Sequence, residues 1–239
     1  MKCAGLAVLP ALLLLLDHFS YAGVVKGATA SAELTDGTVK VTVANVSQHD
    51  ITGFVVRVSC KQPNGQTTSA SHSTEYGVPA FTHKALNPGE TTEVMIPMTQ
   101  IVSVEDAQVI VAIYSDQTAE VKDELSFNDI IDRRQGLADA LQMTADAVKA
   151  AVRDTDSGLT SAPPNVFAQQ ILQRLLDKAG AGRINAGDKM FLQSLLQEEI
   201  DTLKTAPAGR EREFVQGEAN RLQKRATLAQ KHADVRRLP

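Results

Sequence analysis

The sequence has no tryptophan, and only 4% of its 239 residues are aromatic. It has two cysteines, Cys3 and Cys60, and no surplus of positive charge, the formal net charge being −4. Each scarcity excludes something. A chain this mildly acidic does not present the strongly cationic surface that holds nucleic acid. Loss of Cys3 with an N-terminal leader would leave Cys60 alone, so no intramolecular disulfide can form. Beyond Leu16 no long apolar run occurs, so no transmembrane segment is expected after signal cleavage. What remains, 43% apolar and 22% charged, is the composition of a globular protein.

The first 22 residues read as an address. Lys2 supplies the positive charge, Ala4 to Leu16 the apolar run, and Ser20-Tyr21-Ala22 the small residues two apart that a signal peptidase needs. Cleavage is expected before Gly23, with export to a periplasmic or secreted location. The run is shorter than the roughly 20 residues that span a bilayer.

Residues 28–121 alternate with a period of two. Val39, Val41 and Val43 share one face, Asp36-Gly37 before them is a tight-turn signal, and Ile51 to Lys61 is partly apolar on both faces, as a central strand is. Pro63-Asn64-Gly65 and Asn87-Pro88-Gly89 mark further turns. Gln66 to Thr74 suits a polar edge strand, and Thr92–Ile96 and Ala107–Tyr114 are strands. Cys60 shares the face of Phe54, Val56 and Val58 and reads as a small buried hydrophobe. Roughly seven short strands result. On Val43-Ala44-Asn45-Val46-Ser47, Ile51-Thr52-Gly53-Phe54 and Leu86-Asn87-Pro88-Gly89-Glu90-Thr91, the segment resembles bacterial immunoglobulin-like modules of exported proteins. That resemblance implies a β-sandwich and no particular function.

Residues 125–239 change to a helical period. Leu125-Ser126-Phe127-Asn128-Asp129-Ile130 predicts a helix start, with Ser126 and Asp129 as a capping box and Leu125 stapled on Ile130. Ile130, Leu137, Leu141, Val148 and Val152 continue the stripe to about Arg153. Helices are predicted from about Asn165 to Ala179 and from Asn185–Asp188 through Ile200, the pair forming a hairpin. The stretch from Arg210 to about Arg237 carries few large apolar residues, and predicts a helix that docks weakly or extends into solvent. The expected architecture is an all-β immunoglobulin-like sandwich followed by an all-α helical segment, a hairpin or small bundle.

Chemistry is harder to find. Ser71-His72-Ser73 and Glu75 contain the types of a nucleophilic triad, but neighbours on a strand point to opposite faces. Gly-x-Ser-x-Gly, His-Glu-x-x-His and P-loop patterns are missing. Asp154-Thr155-Asp156-Ser157-Gly158 opens like a calcium loop but lacks its glycine and glutamate. From Arg210 onward eight basic residues face four acids, and Phe214 alone offers no stacking platform for bases.

No catalytic, metal or cofactor residues are expected, and no nucleic acid. The leading expectation is a non-enzymatic binding or assembly module of the cell envelope, with a protein or envelope component as partner. The alternatives are a hydrolase built from sandwich loops around His49, His72 and His83, and an electrostatic anchor through the basic C-terminal helix.

Overall fold

The computed structural model describes residues 25–76, 84–181 and 189–238. The predicted leader with its cleavage site, His83 and the predicted start of the third helix lie outside these residues.

Among the described residues, seven strands come first: β1 (Ala28–Thr35), β2 (Thr38–Asn45), β3 (Ile51–Lys61), β4 (Thr67–Glu75), β5 (Thr91–Pro97), β6 (Ser103–Tyr114) and β7 (Thr118–Val121). Four helices follow: α1 (Glu124–Asp156), α2 (Pro164–Gly180), α3 (Lys189–Lys204) and α4 (Glu211–Ala233). A two-residue strand, β8 (Arg236–Arg237), comes last. The strands form a three-stranded sheet, β1-β2-β5, and a five-stranded sheet, β4-β3-β6-β7-β8. Asp36 and Gly37 both have positive φ, as the primed turn of a two-residue hairpin requires, and Thr35 pairs with Thr38 across it.

The two sheets share one apolar core. Val39, Val41 and Val43 of β2 and Val94 and Ile96 of β5 meet Phe54, Val56, Val58 and Cys60 of β3 and Val109 and Ala112 of β6. The other face of the five-stranded sheet is apolar as well. Val55, Ile110, Val111 and Ile113 there are covered by Phe127 and Ile130 of α1. Burial of each such side chain contributes about 1.5–3 kcal/mol, which is why α1 lies on the sheet instead of leaving it.

This overturns the expected all-β immunoglobulin-like sandwich followed by an all-α segment. The molecule is mixed α/β, with its helices built into the sheet system at both ends. Helix α1 covers the larger sheet, and after α4 the chain returns to it. There β8 pairs in parallel with β7, the Arg236 amide donating to Gln117 O at 2.8 Å and the Leu238 amide to Ala119 O at 2.7 Å. Two polar residues carry no alternation, so nothing in the pattern marks β8 as a strand.

Two helix expectations are also corrected. Helix α1 starts at Glu124, behind Asp123, and the Ser126 hydroxyl donates to the Asp123 carboxylate at 2.7 Å. Ser126 therefore sits inside the first turn, and Leu125 is 81% exposed instead of stapled. The reason is that Phe127 and Ile130 must face the sheet, and this fixes the helix phase. Helix α4 does not dock weakly. Val215, Ala219, Leu222, Ala226, Ala229 and Ala233 are all buried, at alternating steps of four and three. Helix α1, which packs against α4, carries among its buried residues a row with the same steps, Ala138, Leu141, Ala145, Val148 and Val152. Small residues at these positions let the two backbones approach closely. Gln142 and Gln223 exchange side-chain amide bonds beside this seam, as do Gln135 and Gln230, one heptad along each helix. Leu172 of α2 and Leu192, Leu196 and Leu203 of α3 complete the helical core.

Candidate functional site

The most strongly constrained polar cluster sits where the larger sheet, α1 and the end of α4 meet. Arg134 occupies an inward position of α1, between Ile130 and Leu137, and its side chain is 3% exposed. Its Nε and Nη2 donate to Glu75 Oε2 of β4 at 3.0 and 2.6 Å, Nη2 also to Thr52 O of β3 at 3.1 Å, and Nη1 to His232 O of α4 at 2.9 Å. One guanidinium thus ties three elements to a fourth. Gly53 makes this possible: a Cβ there would lie 2.6 Å from Arg134 Nη2 and 2.9 Å from Glu75 Oε2. Burial pushes the Glu75 carboxyl up from its ordinary value, while the charge and hydrogen bonds of Arg134, then the charge of Arg133, pull it back.

A cavity of about 70 Å³ adjoins the cluster, lined by Tyr114, Ser115, Gln117, Arg134, Lys231 and His232 among others. It has room for about two waters. Burial, then the charges of Arg134 and Lys231, lowers the His232 pKa and favours the neutral ring. A carboxylate to orient that ring is missing among the described residues, so the pocket lacks the third member of a general-base relay.

A second cluster fastens the start of the described chain. Glu120 Oε2 accepts from the Lys26 amide at 2.7 Å, the Gly27 amide at 2.8 Å and the Tyr114 hydroxyl at 2.9 Å. Burial, then the bond to Glu120, raises the Tyr114 pKa and keeps its hydroxyl a donor. A third lies between α3 and α4. There Glu199, 1% exposed, accepts from Arg221 at 2.6 Å, and Arg221 also donates to Glu218 at 2.5 Å. Burial raises the Glu199 pKa to about 7, opposed by Arg221 and reinforced by Glu218.

The histidines do not converge. His49 lies in the β2–β3 loop, its Nε2 3.7 Å from Asp116 and more than half exposed. His72 pairs with Val56 in the ladder, five residues beyond Ile51, which puts it about 16 Å farther along the sheet. It shares the inter-sheet face with Val56, whereas Ser71, Ser73 and Glu75 point to the α1 face, where they meet Arg57, Arg133 and Arg134. His83 lies outside the described residues. Among the described residues no group of three or more His, Cys, Asp or Glu could hold a metal ion. Cys60 is buried, with burial and then the charge of Glu105 raising its thiol pKa.

The basic residues of the C-terminal segment are partly committed within the molecule. Arg212 makes a bidentate pair with Asp156, Arg221 holds Glu199 and Glu218, and Arg237 pairs with Glu124 at 2.5 Å and stacks 4.7 Å over Phe127. Sequence reasoning missed Arg134, Glu120 and Glu199 as organising residues. For Arg134 a signal existed: an arginine on the apolar stripe of a helix has to find a buried acceptor.

Fold and clusters together define a mixed α/β protein of two facing sheets and a helical layer, with its buried charges placed at the seams between elements. No family model, curated protein or solved structure matches the chain. No helix among the described residues is long and apolar enough to cross a membrane.

Proposed function

We propose that the protein is a non-enzymatic binding or assembly module of the cell envelope, exported through its N-terminal leader. One observation carries the non-enzymatic half. The ion pairs of Arg134 with Glu75 and of Arg221 with Glu199 join one element to another, and the cavity beside Arg134 lacks a nucleophile–base–carboxylate arrangement among the described residues. The exported half rests on Lys2, the Ala4–Leu16 run and Ser20-Tyr21-Ala22.

The test is to produce the full chain in a bacterial host, fractionate the cells and read the N-terminus by mass spectrometry. The purified protein is then titrated against immobilised envelope components. A polypeptide starting at Gly23 in the extracytoplasmic fraction, together with saturable retention of one component, supports the proposal. Retention of Met1 in the cytosolic fraction overturns the export half. Reproducible turnover of a hydrolase substrate, lost on His49→Ala, overturns the non-enzymatic half.

A further inference from the structure

The sheet edges differ in how well they are guarded. Strand β5 carries Glu93 and Pro97, β8 is two arginines long, and β1 packs against β6 of the facing sheet. Strand β4 touches β5 of the facing sheet far less closely than β1 touches β6, and it has none of the other devices. It runs for nine residues, Thr-Thr-Ser-Ala-Ser-His-Ser-Thr-Glu, without proline, lysine or bulge, and its register with β3 is unbroken. Its one acid, Glu75, is already neutralised by Arg134. Long, flat, uncharged edges are what soluble proteins avoid unless the edge is used.

The ladder shows which groups are offered. The Tyr76 amide donates to Thr52 O at 2.8 Å and the Gln62 amide to Gln66 O at 2.8 Å, so the even-numbered residues of β4 face β3. Thr67, Ser69, Ser71, Ser73 and Glu75 therefore point their N–H and C=O groups away from the sheet. Among the described residues these groups have no backbone partner.

We propose that β4 pairs with β4 of a second copy of this chain, antiparallel about Ser71, joining the two larger sheets into one. The strand is its own complement in that register. Ser71 meets Ser71, Ser69 meets Ser73, Thr68 meets Thr74, Ala70 meets His72, and Thr67 meets the neutralised Glu75. No like charges are opposed, and no bulky side chain is set against another of its size. The odd-numbered residues all fall in hydrogen-bonded pairs, so every outward group finds a partner. A two-fold axis through Ser71 makes the contact isologous and closed, so pairing stops at two. This inference stands apart from the proposed export.

Proline at position 71 discriminates, because the Ser71 amide faces away from β3: Ser71→Pro removes a donor from the dimer ladder and none from the fold. The full chain is expected to sediment as a dimer whose fraction rises with concentration. Ser71→Pro should be monomeric with an unchanged far-ultraviolet circular dichroism spectrum. On a Cys3→Ser background, Ser71→Cys should oxidise to a covalent dimer, since the paired Cα atoms would lie about 5.5 Å apart, within disulfide reach. Ser69→Cys, out of register with itself, should not. A chain that stays monomeric at all concentrations overturns the proposal. So does a dimer that survives Ser71→Pro, or equal cross-linking by Ser69→Cys and Ser71→Cys. If Ser71→Pro misfolds, the two cysteine variants decide the matter alone.

Discussion

Arg134 shows what a single residue contributes when its charge is buried. Its bonds to Glu75, Thr52 O and His232 O offset the desolvation of the guanidinium only as long as all are made. Arg134→Ala leaves Glu75 buried without its ion pair, with only the charge of Arg133 near it, and is expected to cost about 3–5 kcal/mol in denaturant unfolding. Arg134→Met combined with Glu75→Leu should recover most of that loss, because no unpaired charge remains. Gly53→Ala should cost about 1–3 kcal/mol, since the side chains its Cβ would meet are pinned and cannot step aside. Glu199 supplies a pH dependence. Its folded pKa of about 7 lies above the ordinary 4.5. Below the lower value both states hold the proton. Between the two, the unfolded chain ionises while the fold retains it, so stability falls as pH rises and the loss is complete above the folded value. The difference in unfolding free energy between Glu199→Gln and the native chain should therefore grow across that window, by on the order of 1–3 kcal/mol. A flat difference would contradict it.

At the scale of elements, α4 depends on the small size of its inward residues. Ala219, Ala226 and Ala233 lie one heptad apart against α1, and their short side chains set the distance between the helices. Ala226→Leu is expected to destabilise by about 1–3 kcal/mol through overpacking, measured by thermal or denaturant melts. A gain in stability would mean that the seam has room to spare. Strand β8 is held differently, by two backbone bonds and by Arg237 on Phe127 and Glu124. An exposed pair and a cation–π contact contribute little each, so Arg237→Ala should cost about 0.5–1.5 kcal/mol.

For the whole molecule, the sheets and helices are coupled through Phe127 and Ile130 on the larger sheet, the Arg134 cluster, and the return of β8 to β7. Such coupling predicts one cooperative thermal transition, with circular dichroism of the helices and fluorescence of the tyrosines melting together. Two separated transitions would show instead that the strand and helix regions unfold independently.

The division between sequence and tertiary structure follows from the range of each signal. Alternation in Thr38–Val43 and Ile51–Lys61, positive-φ turns such as Asp36-Gly37, and the stripe from Ile130 to Val152 are local, so the sequence by itself determined most strands and helices. It also determined that β3 is buried on both faces for part of its length, from Ile51 to Val56. Partner choice is not local. Whether α1 covers the sheet, whether six small or medium residues of α4 add up to a helix seam, and whether Arg236-Arg237 is a strand depend on surfaces far away along the chain. Only the tertiary structure decided those, because burial is a property of what lies opposite, and a buried arginine such as Arg134 declares its role only once Glu75, Thr52 and His232 surround it.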